Sequence, residues 1–268
     1  MKFKKIFLGL TLAAALLAGG CSQQKKQKAT PTLTKDEVIQ KSQKGFKSGQ
    51  VIQSLRLSTD TSSQLVVANT TFGGEATVFH INNQTTANGK TRSSEEWINN
   101  SNNAYINGSS TWYKTNAQKL NGHSYAELLE AITNNKVIFN PDATLKNAYK
   151  MKRNKQTYTL TAKTTDPKMM KATADDIVAT VGQSAEQEKV FRNIQKYGKY
   201  RNMTVTMVVK NNKLFSCNIF VNMTLGKLSK VRLGQSFGNF GKHDFLKIPN
   251  NALDAKPLPM VKEKKKTK

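Results

Sequence analysis

The strongest periodicity in the chain lies near its end. In Met203-Thr204-Val205-Thr206-Met207-Val208-Val209, and again from Phe215 to Leu225, the odd positions are apolar. A period of two places such residues on one face of a strand. Lys210-Asn211-Asn212-Lys213 between the two runs reads as the turn of an antiparallel pair. Met203, Val205, Met207, Phe215, Ile219, Val221 and Met223 are therefore expected to share a face, with Cys217 among them as a small buried hydrophobe. Shorter alternating runs at Ser54–Thr59, Gln64–Asn69, Ala76–Asn82, Lys90–Trp97 and Thr157–Lys163 predict further strands. Ala104–Lys114 reads as a hairpin in which Asn107-Gly108 supplies the positive φ of a tight turn.

The helical segments announce themselves by their starts. Thr34-Lys35-Asp36-Glu37 is a capping box, in which the threonine hydroxyl and the glutamate carboxylate satisfy free backbone N–H groups. Val38, Ile39 and Phe46 follow at near-helical spacing, which predicts a first helix over about residues 34–47, ended by Gly45 and Gly49. A second box, Ser124-Tyr125-Ala126-Glu127, opens a short helix with Tyr125, Leu128, Leu129 and Ile132 as its apolar positions. Asp166-Pro167 is a cap followed by proline at the first helical position. Met170, Ala174, Ile177, Val178 and Val181 then recur on one face, and Ser184 begins a further segment carrying Val190, Phe191 and Ile194. At least nine strands and three or four helices without βαβ alternation predict an α+β fold, an antiparallel, strongly curved open sheet with helices on one side.

The beginning of the chain has a different logic. Lys2, Lys4 and Lys5 precede an apolar run from Ile6 to Ala18 that closes on Gly19 and Gly20, the order of an export signal. A membrane-spanning helix needs roughly 20 predominantly apolar residues, more than this run offers. Leu17-Ala18-Gly19-Gly20-Cys21 resembles the lipobox of bacterial lipoproteins, departing from it where Ala18 stands at the usual leucine. The resemblance implies a signal peptide over 1–20 and a diacylglyceryl group on the thiol of Cys21, with palmitate-type chains that hold the protein to the extracytoplasmic face of the cell membrane. Two acyl chains anchor stably where one binds only marginally. Residues 21–32 lack large apolar side chains and read as a flexible stalk. A single domain over 33–259 and a basic tail over 260–268 complete the expected organisation.

Removing the signal takes three lysines from 42 basic residues and leaves 39 against 17 acidic ones, a formal charge of +22. Outside a membrane, the polyanions that suit such a surface are anionic lipids and wall phosphate polymers. The lysines are spread from Lys25 to Lys268 without an arginine-rich or aromatic-interleaved stripe, so nucleic-acid binding is not expected. With Cys21 acylated, Cys217 has no partner for a disulfide.

The order of lipobox, polar stalk, N-terminal helix, strands with a Tyr105…Trp112-Tyr113-Lys114 hairpin, central helices and a final meander resembles the lipoprotein-carrier (LolA/LppX-like) superfamily. It is similar in particular to small lipoproteins of Gram-positive bacteria, as is the closing stretch Phe237–Pro249. The resemblance implies an open half-barrel whose concave face, covered by helices, accepts an amphiphile: a lipid or a lipid-linked component of the cell envelope. Leu128, Leu129, Ile132, Met170, Ile177, Met207, Phe215 and Ile219 are then the candidate cavity residues. The same residues are also what a packed sheet-on-helix core requires, since periodicity reports burial and not emptiness.

Nothing in the sequence argues for catalysis, a metal or a cofactor. His80, His123 and His243 are scattered, without metal-ligand spacing. Gly122-His123-Ser124-Tyr125-Ala126 lacks the closing glycine of a nucleophile elbow, and Ser124 is explained as a helix cap. Asp175-Asp176 and Glu186/Glu188 read as carboxylates on solvated helix faces. The expectation is a non-enzymatic binding protein, with a structural lipoprotein that docks on anionic wall polymers as the alternative.

Overall fold

A computed structural model describes residues 32–259, apart from 44–45, 76, 109, 180–191 and 227–228. The expected signal and lipobox, the expected basic tail, Val181, Ser184, Glu186, Glu188, Val190 and Phe191 lie outside the described residues.

Six strands occupy the first half of the chain: β1 (Gly49–Ser58), β2 (Ser63–Gly73), β3 (Val78–Ala87), β4 (Lys90–Asn99), β5 (Asn103–Asn107) and β6 (Trp112–Asn116). Six more follow the central helices: β7 (Lys150–Asn154), β8 (Thr157–Thr164), β9 (Gly198–Lys210), β10 (Lys213–Leu225), β11 (Ser229–Gly238) and the short β12 (Lys256–Pro257). All join one large, curved, unclosed sheet in the order β12-β6-β5-β4-β3-β2-β1-β11-β10-β9-β8-β7. Every pairing is antiparallel except that of β12 with β6. The first meander meets the last at the β1–β11 pair, so the middle of the sheet is made from the two ends of the domain.

Two hairpins are set by their turn residues. Asn88 (φ 49°) and Gly89 (φ 74°) join β3 to β4, and Asn211 (φ 52°) and Asn212 (φ 61°) join β9 to β10. Two consecutive left-handed residues match the twist of the flanking strands, so the expected turn at 210–213 is present. The hairpin at β5–β6 is built otherwise. Asn107 pairs with Trp112 and stays in its strand. The reversal is thus spread over residues 108–111, and neither Asn107 nor Gly108 needs a positive φ.

The helices are α1 (Lys35–Ser42), α2 (Ala117–Asn121), α3 (Tyr125–Thr133), α4 (Lys136–Phe139), α5 (Ala143–Ala148), α6 (Pro167–Ala179), α7 (residues 192–197) and α8 (Asn250–Leu253). Both capping boxes form: Glu37 accepts from the Thr34 N–H at 2.7 Å and Glu127 from that of Ser124 at 2.7 Å. Asp166 Oδ1 accepts from the N–H groups of Lys168 and Met169, at 2.8 and 3.1 Å, starting α6. Helix α1 is shorter than its apolar spacing predicts. The Ser42 hydroxyl donates to the Ile39 carbonyl at 2.6 Å, a local bond that competes with continuation of the helix.

Helix α6 lies against β9, β10 and β11, α1 against β9 and β10, and α5 against β8. Across this covered face run rows of buried side chains, such as Ile81, Thr70, Val51, Phe237, Cys217, Met207 and Leu160 on neighbouring strands. Met203, Val205, Met207, Ile219, Val221 and Met223 are all buried there, as the alternation predicts. Phe215 is not. The β9–β10 register shifts between Leu214 and Ser216, which makes Phe215 the extra residue of a bulge. Leu214 is 8 % exposed and Phe215 58 %.

The expectation of helices on one side also needs correction at the end of the chain. Ala252 of α8 packs with Val78, Trp97, Tyr105 and Trp112, flanked by Leu246, Ile248 and Ala255. These strand residues alternate with Phe79, Ile98 and Ala104 of the covered face. The last residues therefore cross to the opposite face, because the aromatics of β4–β6 there demand a cover.

Candidate functional site

Phe46 and Ser48, between α1 and β1, organise one end of the sheet. The Phe46 ring lies 4.3 Å from that of Phe240, 5.3 Å from Phe139 and 5.6 Å from Phe72, centre to centre. Phe72 comes from β2, Phe139 ends α4 and Phe240 follows β11, so four separate segments meet in one aromatic cluster. Glycine at position 49 lets β1 begin beneath it: a β-carbon there would stand 3.0 Å from Phe240 and 3.1 Å from Phe72.

The segment after β11 is tied to this cluster by polar bonds. Asn239 (φ 54°) and Gly241 (φ 71°) turn the chain. The Gly241 N–H donates to the Ser48 carbonyl at 3.1 Å, and the buried Ser48 hydroxyl donates to Asp244 Oδ1 at 2.6 Å. On the other side, the Gly74 N–H donates to the His243 carbonyl at 3.0 Å. Gly73 permits that approach, since a methyl group there would fall 1.9 Å from the same carbonyl oxygen.

Between these segments and the β9–β10 turn lies a cavity of about 640 Å³. Phe46, Leu214, Phe240 and Phe245 supply its apolar wall, and Ser48 lies at its edge. Lys47, Lys213, Glu75 and Asp244, all exposed, supply two charges of each sign. A second cavity of about 320 Å³ adjoins it, sharing Leu214 and Phe240 and adding Ile52, Phe215, Phe237 and Lys242. A third, of about 380 Å³, lies at the opposite ends of the strands among Leu57, Gln64, Asn88, Asn193 and Leu225. Ligand sites commonly occupy roughly 300–1,000 Å³ with mostly apolar walls and a few polar groups. The largest of these three fits that description.

The residues expected to line a cavity are distributed differently. Ile132, Met170, Ile177, Met207 and Ile219 are almost fully buried, as is Leu128, while Leu129 is half-buried. None of these lines the three cavities just described. Phe215 alone does, and it does so from the exposed side of its bulge. Sequence reasoning missed Phe46, Leu214, Phe240 and Phe245. Their signal was available in two aromatics, Phe240 and Phe245, within a turn-forming run of Gly, Asn and Lys where no strand or helix demands them.

Several groups elsewhere that could do chemistry are engaged in structure. Cys217 is fully buried, and burial pushes its thiol up to about 12, far from nucleophilic. Burial also drives the neighbouring Tyr149 hydroxyl upward. His80 stacks on Trp97 at 4.0 Å and meets Glu95 Oε1 at 2.9 Å. Asp175 bonds the Lys171 ammonium at 2.6 Å on the exposed face of α6. Asp176, by contrast, is half-buried, and desolvation raises its carboxyl above the usual range despite the opposing pull of Lys136. Among the described residues no three His, Cys, Asp or Glu side chains gather as metal ligands, and no helix is long and apolar enough to cross a membrane.

No protein-family model matches the sequence, and comparison with curated proteins finds no relative. Among solved structures, the chain is similar to the lipoprotein LppX of Mycobacterium tuberculosis, at 11 % identity and a TM-score of 0.34, over 80 % of this chain and 96 % of that one. It is similar to a DUF1329 family protein of Desulfovibrio piger at 5 % identity and a TM-score of 0.20, over 80 % and 93 % of the two chains. A porin-like protein of Bacteroides uniformis gives 8 % and 0.21, over 72 % and 97 %. None of the three assigns the chain to a family.

Proposed function

We propose that this chain is a lipoprotein, anchored through Cys21 to the extracytoplasmic face of a membrane, that binds an amphiphile. The observation that carries the reading is the cavity of about 640 Å³ walled by Phe46, Leu214, Phe240 and Phe245 and bordered by Lys47, Lys213, Glu75 and Asp244. An acyl or prenyl chain gains by leaving water for the aromatic wall. Its polar headgroup would stay at the rim, where charges of both signs remain hydrated. The rest of the covered face serves as scaffold, its helices and strands packing to hold the four segments of the cavity in place. The lipobox-like Leu17–Cys21 segment supports the location, since an acylated protein beside a bilayer has amphiphiles within reach.

Native mass spectrometry of the mature chain carrying Cys21→Ser, purified without detergent, tests the cavity. The expected result is a bound species of lipid mass that is displaced by excess fluorescent phospholipid or fatty acid. Phe240→Ala, which opens the aromatic wall, should weaken that uptake at least several-fold. A protein that carries nothing and takes up no amphiphile saturably overturns the reading.

A further inference from the structure

Three of the large apolar side chains that stand exposed among the described residues, Ile52, Phe215 and Phe245, line the two adjoining cavities. Phe245 is 92 % exposed and Phe215 58 %. Phe215 and Phe245 each have a structural reason to point outward that packing does not supply. Phe215 is ejected by the β9–β10 bulge. Phe245 follows Asp244, whose carboxylate is held by Ser48, and precedes Leu246, whose N–H donates to the His243 carbonyl at 3.1 Å. The tight turn presents its ring to solvent. Lysines accompany both rings: Lys210 has its Nζ 5.7 Å from the Phe215 ring centre, Lys242 lines the smaller cavity with Phe215, and Lys47 and Lys213 line the larger one with Phe245. The carboxylates among the lining residues of the two cavities are Glu75 and Asp244, the latter engaged by Ser48.

We infer that this end of the sheet is a docking surface for an anionic bilayer, with Phe215 and Phe245 entering the headgroup–acyl boundary and the lysines meeting lipid phosphates. Exposed aromatic rings beside ammonium groups suit an interface that is apolar below and anionic above. A soluble phosphate polymer would satisfy the lysines but offers nothing to a ring as exposed as Phe245. Docking in this way would turn the mouths of both cavities toward the bilayer, where an amphiphile could pass between membrane and protein with little exposure to water. The inference deepens the proposed function but does not stand or fall with it, because bilayer docking requires no cargo.

The test uses the mature chain with Cys21→Ser, so that the acyl anchor does not mask weaker contacts, and vesicles of phosphatidylcholine with or without phosphatidylglycerol. The expected result is co-sedimentation with the anionic vesicles only. Phe215→Ser and Phe245→Ser should each weaken it by about tenfold with no change in melting temperature, as loss of a buried ring implies. A tryptophan placed by Phe245→Trp should shift to shorter wavelength and be quenched by brominated lipid. Loss of binding in salt with no effect of either serine variant would mean that the net charge alone binds vesicles, and would overturn the inference. So would tighter binding to poly(glycerol phosphate) than to vesicles, which would assign the surface to wall polymer. Absence of bound lipid in the native mass spectrum overturns the cargo and leaves vesicle docking to be decided by the phenylalanine variants.

Discussion

Gln53 and Gln235 stand directly opposite each other across the β1–β11 pair, and each is only 1 % exposed. Their neighbours in the row are Ala68 on one side and Ile219, followed by Val205, on the other. Two primary amides at the seam of the sheet require partners, because an unmet buried polar group costs more than a met one gains. Asn135 answers part of the need: its Nδ2 donates to Gln235 Oε1 at 3.1 Å while its Oδ1 accepts from the Val137 N–H at 3.1 Å. The cap of α4 is thereby bonded to the centre of the sheet, and α4 in turn carries Phe139 to the aromatic cluster.

Replacing Gln235 by methionine keeps its volume but removes the acceptor for Asn135. The variant should lose about 1–3 kcal/mol, the cost of an orphaned buried donor. Denaturant unfolding of Gln235→Met, Asn135→Ala and the double variant checks this. The double variant should lose less than the sum of the two, since both single changes break the same bond.

Glu96 makes stability depend on pH in an unusual direction. It lies on the covered face between Ile81 and Ile106 on the neighbouring strands, and burial raises its carboxyl from the ordinary 4.5 to about 7. Below pH 4.5 the group is neutral in both folded and unfolded chains, and its contribution is fully present. Between 4.5 and about 7 the unfolded chain has released the proton that the folded chain retains, so stability falls as pH rises. The total is on the order of 3 kcal/mol, at roughly 1.4 kcal/mol per unit. Glu96→Gln, neutral throughout, should flatten this decline and be more stable than the parent at about pH 8. Equal slopes for parent and variant over this range would contradict the assignment.

Gly73 controls the loop that closes the cavity. Its substitution by alanine drives a methyl group into the His243 carbonyl, and backbone there cannot yield as a flexible side chain would. Gly73→Ala should displace residues 243–246, lower amphiphile uptake and reduce the melting temperature. Ser48→Ala should act more mildly, removing the 2.6 Å bond to Asp244 while leaving the Ser48 carbonyl to the Gly241 N–H. Binding assays and thermal melts on the two variants separate loop position from overall stability.

How much of this was legible follows from what each signal encodes. The alternation from Met203 to Val209 and from Phe215 to Leu225 reports one buried face, and both strands lie where it places them. Capping residues at Thr34, Ser124 and Asp166 fix three helix starts because their bonds are local. The bulge at Phe215 was invisible, since a one-residue slip is decided by the partner strand and leaves composition unchanged. The cavity at this end of the sheet was illegible for a related reason. It is formed by Phe46, Leu214, Phe240 and Phe245, which are brought together by β1–β11 and β9–β10 pairing and have no common period. Likewise, Trp97, Tyr105 and Trp112 gave strand signals without saying that Ala252 would cover them.

The two cysteines provide a direct test of the proposed anchor. Cys217 is fully buried with its thiol raised to about 12, so thiolate is scarce and access closed at neutral pH. The folded protein isolated from membranes should therefore fail to react with a thiol reagent. Unfolding exposes Cys217, and Cys21 adds a second thiol only if it carries no thioether-linked lipid. The expected stoichiometry is thus none when folded and one in denaturant for the membrane-derived protein. A chain made without its signal should instead give one when folded, from Cys21, and two when denatured. Labelled palmitate should enter the parent and not Cys21→Ser. Two reactive thiols in the denatured membrane-derived protein would mean that Cys21 is not acylated, and that retention at the membrane rests on the exposed rings and lysines alone.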